Sequence, residues 1–181
     1  MTALGSEEHS GAVADLDTAL GDLHVAVGGF LAAADRTATR WTTPLAPGKW
    51  SPAQVVEHVT RIMDQSANVI AGSPSAFPNV PRLLRPLSRL IVFRRILKRG
   101  AFLSMRTASP FNPPAGPASP ADGRLRVDAA LTRFTRASRD RAAAGGQVPS
   151  TLFGPVTPAE FARFQELHVR HHLQQLSRTS P

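Results

Sequence analysis

A chain of 181 residues is long enough to bury one core and too short for two comfortable domains. It has no cysteine, which removes disulfides, thiolate metal ligands and a cysteine nucleophile together, and its 6% aromatic content with no tyrosine points to an aliphatic, all-α core rather than a strand-rich sandwich. The formal charge of +8 is local: no acidic residue lies between Asp64 and Asp122, an interval that holds Arg82, Arg85, Arg89, Arg94, Arg95, Lys98, Arg99 and Arg106, while acids and bases balance elsewhere.

The N-terminus is polar and lacks the basic-then-apolar pattern of a secretory signal, so residues 1–12, with His9, read as a flexible tail ahead of one domain over 13–178. The longest uncharged apolar run, Leu90 to Phe93, is far too short to span a bilayer, and the expected location is cytoplasmic. A first helix is predicted over about 15–34, where Leu16, Leu20, Leu23, Val27, Phe30 and Leu31 recur at steps of three and four. His24 sits beside that stripe without a partner at ligand spacing and reads as an ordinary surface histidine. Two prolines and a glycine make a loop of residues 41–50. Ser51-Pro52-Ala53-Gln54 then supplies a serine cap, a proline at the first helical position and a glutamine at the third, which opens a second helix running to about residue 71 and ending at Gly72. At roughly 100° per residue, Val55, Val59, Ile62, Ser66 and Val69 share its inner face, and His58 lies at the edge of that face.

Pro81 and Pro86 interrupt the next stretch, and a short helix from Pro86 through Lys98 is expected to stop at Gly100. Arg94 falls on the same side as Leu83, Leu87 and Leu90, which argues against a membrane-inserting helix. The proline-rich run 109–120 should be an irregular crossover. A third long helix is expected from residue 122 or 123 to 144, with Leu125, Val127, Ala130, Leu131 and Phe134 inward, and Gly145-Gly146 ends it. Thr157-Pro158-Ala159-Glu160 repeats the start signal for a last helix to about residue 177, and no convincing strand lies between the helices.

On that last helix Phe161, Phe164, His168, His172 and Leu176 share one face, with His171 at its margin. Histidines four apart stand one above the other, the spacing that lets both ligate one ion. Imidazoles in an aliphatic core need partners in any case. A neighbouring carboxylate or carbonyl, or a metal ion, would each serve.

Trp50-Ser-Pro-Ala-Gln-Val-Val-Glu-His58 and His168-Val-Arg-His-His172-Leu-Gln-Gln175 together resemble the two signatures of the DinB/YfiT-like superfamily, and Phe153-Gly-Pro-Val-Thr157 resembles an uncharacterised branch of it. The resemblance spans residues 41–176 and is weakest over 72–119. It implies a four-helix bundle with a long crossover, containing short helical segments, between helices 2 and 3. It also implies that His58, His168 and His172 are metal ligands. Zinc or nickel suits three imidazoles best, and three nitrogens leave positions open for a substrate or water. Gln54, Glu57, Gln165 and Gln175 are candidates for orienting the ligand rings, each equally readable as a solvated side chain. His171 is expected to pack or hydrogen-bond outside the ligand set.

Members of the superfamily include thiol-dependent transferases that use bacillithiol or mycothiol, so the resemblance implies a metal-dependent thiol S-transferase or a hydrolase acting on a small molecule, with a low-molecular-weight thiol as a second cofactor. It also implies pairing as a homodimer. Two other classes stay open: a binding module that uses the basic 82–106 segment against an anionic partner, and a metal-free structural bundle. Nucleic acid fits the first of these poorly, because there is no helix-turn-helix pattern and few aromatics to stack bases. A solvated face, with arginine stems covering the bundle, is the ordinary explanation of that segment.

Overall fold

Helices account for most of the chain in the computed structural model, which describes residues 3–102, 107 and 109–177, over 3–10 by backbone alone. They are α1 (Ala3–Asp35), α2 (Pro52–Ala71), the short α3 (Arg85–Ser88) and α4 (Arg94–Arg99), α5 (Pro120–Ala143) and α6 (Pro158–Ser177). A π turn over Arg89–Phe93 joins α3 to α4. The side chain of His9, the whole of Arg106 and residues 1–2 lie outside the described residues.

The four long helices pack mainly in two pairs, α1 on α6 and α2 on α5. Three of them, α2, α5 and α6, have a chemical reason to begin where they do. Ser51 caps α2 in a full capping box: its hydroxyl accepts from the Gln54 amide at 3.3 Å, and the Gln54 side chain accepts from the Ser51 amide at 3.0 Å. Gly72, at φ 77°, ends α2 in the left-handed conformation that glycine adopts without a Cβ penalty. Thr157 and Glu160 form the same reciprocal pair at the start of α6. At α5 the cap is Ser119, which accepts from the Asp122 amide, so the helix starts at Pro120, slightly before the expected residue 122.

The stripe predicted for α1 is buried throughout, from Leu16 to Leu31. The helix itself begins at Ala3 and not near residue 15. The side chains of residues 11–15 are exposed, so this stretch, which includes Ala12 and Ala14, is helical without packing them. On α5, Leu125 is 70% exposed instead of buried. The inward stripe is Val127, Ala130, Leu131, Phe134 and Ser138, and one turn before Val127 it reaches Gly123, not Leu125. A Cβ at Gly123 would meet Val56 at 3.0 Å and Pro117 at 3.3 Å, so that position admits close contact between the crossover, α2 and α5. On α2, Met63 is fully buried while Ile62 is half-buried.

Two short strands, β1 (Val148–Ser150) and β2 (Gly154–Val156), form an antiparallel hairpin that the sequence reading did not anticipate. Val148 pairs with Val156, both buried, while Pro149 and Pro155 face each other on the exposed side. Two prolines in six strand residues hide the pattern, since proline lacks the ladder donor. The crossover between α2 and α5 is held at several points. The Trp41 indole donates to the Pro117 carbonyl at 2.7 Å, the Gln54 amide donates to the Pro113 carbonyl at 3.1 Å, and Val80 donates to the Thr151 carbonyl at 3.1 Å. No helix among the described residues is long and apolar enough to cross a membrane.

Candidate metal centre

His58 lies two turns into α2, whose register is set by the Ser51 cap, and it is 3% exposed. His168 and His172 project from one face of α6 and are each 6% exposed. The fold brings all three together: their candidate ligand atoms lie within 4.8 Å of one another. His168 Nε2 is 3.2 Å from His58 Nε2 and 3.1 Å from His172 Nε2. His171 stays outside this convergence, its ring 5.1 Å from that of His172 and 6.0 Å from Phe102. His24 is exposed on α1, its Nδ1 2.8 Å from the Leu20 carbonyl.

The outer nitrogens explain why the inner ones are acceptors. His58 Nδ1 donates to the Phe111 carbonyl at 2.9 Å, and His172 Nδ1 donates to Gln175 Oε1 at 3.0 Å. A neutral imidazole with its proton on Nδ1 presents a bare lone pair at Nε2. Two such lone pairs therefore point at His168 Nε2. One proton there could satisfy only one of the two contacts, and it would strip the proton from His168 Nδ1, which is buried without a partner among the described residues. A divalent cation accepts all three lone pairs together. The donor set thus fits such an ion, and oxygen atoms from Phe111 and Gln175 supply the outer support that ligating histidines require.

The electrostatics agree. Burial holds the His168 imidazolium well below its ordinary range, and the neighbouring His172, His58 and His171 push in the same direction. His172 is lowered to about 3, first by burial and then by His58, with the Gln175 bond opposing. Burial also lowers His58, against the pull of the Phe111 carbonyl. All three are neutral at pH 7, the protonation state in which imidazole ligates metals.

A pH dependence follows for the metal-free protein. Unfolded histidine takes up its proton near 6.5, whereas folded His172 does so only near 3, so between these values the unfolded state binds more protons. Stability from this group is then fully present above the unfolded value and is lost progressively with acidification toward pH 3. Urea titrations of metal-free protein from neutral to mildly acid pH should show the midpoint falling. A midpoint that stays flat contradicts the buried neutral triad.

Of the residues expected to support the ligands, Gln175 does so directly. Gln54 instead completes the α2 cap and holds Pro113, close to the Phe111 carbonyl in the chain. Glu57 pairs with Arg61 and Arg126, and the Gln165 amide donates to Ser66 Oγ at 2.8 Å. The Phe111 carbonyl had no sequence signal, because any residue type carries that oxygen. Trp50, the residue before the α2 cap, lies over the cluster with its ring 4.8 Å from His58 and 6.5 Å from His172, and Phe102 packs 5.0 Å from His168. A separate surface groove of about 500 Å³, between the end of α2 and α5, contains no residue of the triad.

Comparison with known proteins adds a family and nothing more specific. Residues 18–179, which include all three histidines, match the family described as "Protein of unknown function (DUF1569)". No curated protein matches, and no solved structure matches.

Proposed function

The chain belongs to the DUF1569 family of proteins of unknown function, and from its site we propose that it is a divalent-metal protein with a three-histidine centre, built as a DinB-like four-helix bundle and acting as a metal-dependent thiol S-transferase or hydrolase. The observation that carries this reading is the convergence of three neutral Nε2 lone pairs. Support for the bundle comes from the pairing of α1 with α6 and of α2 with α5, the long connection between α2 and α5, and the placement of Trp50, His58, His168, His172 and Gln175 about one point. Zinc and nickel are the ions this all-nitrogen set favours.

His58, His168 and His172 would hold the ion. When bound, it supplies Lewis acidity that lowers the pKa of a thiol or a water and makes either a nucleophile at neutral pH. The chain's own part is orientation and exclusion. Phe111 and Gln175 fix two of the ligand rings in the tautomer that ligates, and the rings of Trp50 and Phe102 shield the cluster from bulk water.

Elemental analysis of tag-free protein tests the proposal, together with the visible spectrum on cobalt(II) addition. Near-stoichiometric zinc or nickel, and a ligand-field spectrum that saturates at one equivalent, are expected. Turnover of a model electrophile with a low-molecular-weight thiol, or of an activated ester without one, then separates transferase from hydrolase. Protein that stays empty after reconstitution sinks the reading. Within the site, Gln175→Leu should weaken metal binding about 10- to 100-fold in a chelator competition while leaving the helical circular dichroism unchanged. Unaltered affinity would remove Gln175 from the support of His172.

A further inference from the structure

The segment from Arg82 to Arg99 spends its apolar residues in an unusual way. Its inward contacts come from Phe93 and Ile96, both fully buried, with the Phe93 ring 5.0 Å from Phe153 and 5.1 Å from Phe164. Four of its five leucines are outside, while Leu97, with Val92, packs partly buried against the core. Leu83 is 93% exposed, and Leu84, Leu87, Leu90 and Ile91 are each more than half exposed. Among the described residues, only Val25 and Leu125 are other large apolar side chains as exposed, and they lie apart from each other in the chain. A contiguous exposed apolar patch marks an interaction site more often than isolated exposed leucines do.

Cations frame the same ridge. Arg82 precedes the leucines, and Arg94, Arg95, Lys98 and Arg99 follow them, all exposed. Arg85 is tied to Asn79 and the Val80 carbonyl, and Arg89 faces Glu160 at 3.6 Å. The five flanking cations have no side-chain partner among the described residues, and the sequence has no acid between Asp64 and Asp122 to supply one. An arginine stem laid over the bundle would explain buried methylenes, not leucines pointing away from it.

We infer that this ridge, residues 82–99, is a docking surface for an anionic lipid bilayer, on which the leucines enter the headgroup boundary while the flanking cations meet lipid phosphates. The occupant follows from the combination. A second copy seated on the same face would set the uncompensated cations against themselves. Duplex DNA would satisfy the cations and leave the leucines in water. A peptide helix needs a groove, whereas Leu83 at 93% exposure stands on a convex ridge. A bilayer accepts both chemistries on a convex surface.

The test is co-sedimentation of the full chain with vesicles of phosphatidylcholine, alone or with about one third phosphatidylglycerol, at low and high salt. Binding should require the anionic lipid and weaken with salt. The triple variant Arg94→Gln, Arg95→Gln, Lys98→Gln should lower partitioning about 100-fold. The triple variant Leu83→Ser, Leu87→Ser, Leu90→Ser should lower it at least about tenfold with the charge unchanged. These side chains are exposed, so helical content should persist, and Leu83→Ser alone provides a milder check. Both variants should retain the metal titration of the wild type, which separates this surface from the histidine centre. The inference is overturned by failure to bind anionic vesicles, by leucine variants that bind as wild type, by duplex DNA displacing the vesicles, or by a dimer in sedimentation equilibrium that the leucine variant dissolves.

Discussion

Replacing His168 with alanine should abolish stoichiometric metal uptake, with affinity for cobalt(II) or zinc falling more than about 100-fold, beyond the loss usual for a residue that only supports a ligand. His168 is the hub of the cluster: its Nε2 lies within 3.2 Å of Nε2 of both His58 and His172. Without it two candidate nitrogens remain, fewer than the three protein ligands that an open zinc site requires. His171→Ala is the control, because His171 neighbours His172 without joining the convergence. Elemental analysis and cobalt(II) titration of both variants check the pair. Retention of one equivalent by His168→Ala, or equal loss in both, would contradict the assignment of the ligands.

The second large effect is expected at a residue with no polar atom in its side chain. A Cβ at Gly116 would stand 2.8 Å from the Ala53 Cβ and closer still to the Ala53 carbonyl. Backbone cannot swing aside as a flexible side chain can. Gly116→Ala should therefore push the crossover off the first turn of α2 and destabilise the protein by about 3 kcal/mol. The same crossover carries the Phe111 carbonyl to His58 Nδ1 and the Pro113 carbonyl to Gln54, so metal affinity should fall with stability. Gly28→Ala, on the exposed side of α1 with nothing within 4 Å of the new Cβ, should instead be neutral or stabilising by up to about 1 kcal/mol. Chemical denaturation with and without zinc checks both. A Gly116→Ala protein as stable as wild type would show that the crossover is free to lift.

What could be read in advance divides along physical lines. Ser51 with Gln54 and Thr157 with Glu160 announce helix starts because a cap is a local hydrogen-bond motif, and the α1 leucines announce a face because the helical period is local too. His168 and His172 show themselves as a pair through their four-residue spacing, whereas His58 joins them through a resemblance that links segments far apart in the chain. Their convergence is a tertiary fact. The Phe111 carbonyl could not be named at all, since a main-chain oxygen leaves no trace in residue type. Ser119-Pro120 carries the same signal as Ser51-Pro52, but a surrounding run of prolines disguised it. Leu125 is apolar but out of phase with the inward stripe, in which Gly123 holds the position one turn before Val127. Glu166 was passed over as well. It is fully buried, between Arg163 at 2.7 Å and Arg170, whose half-exposed stems cover it, so a charged residue on a helix carried no warning of its depth.

The positions of the ligands along the chain have a topological consequence. His58 and His168 are 110 residues apart, and the chain has no cysteine with which to join such distant segments covalently. An ion held between α2 and α6 would staple a loop of that length, and by the chain-entropy argument for cross-links a loop of about 100 residues confines the unfolded ensemble by nearly 5 kcal/mol. The same three imidazoles would then serve as the tether of a protein otherwise without cross-links, so that binding the ion and closing the chain become one event.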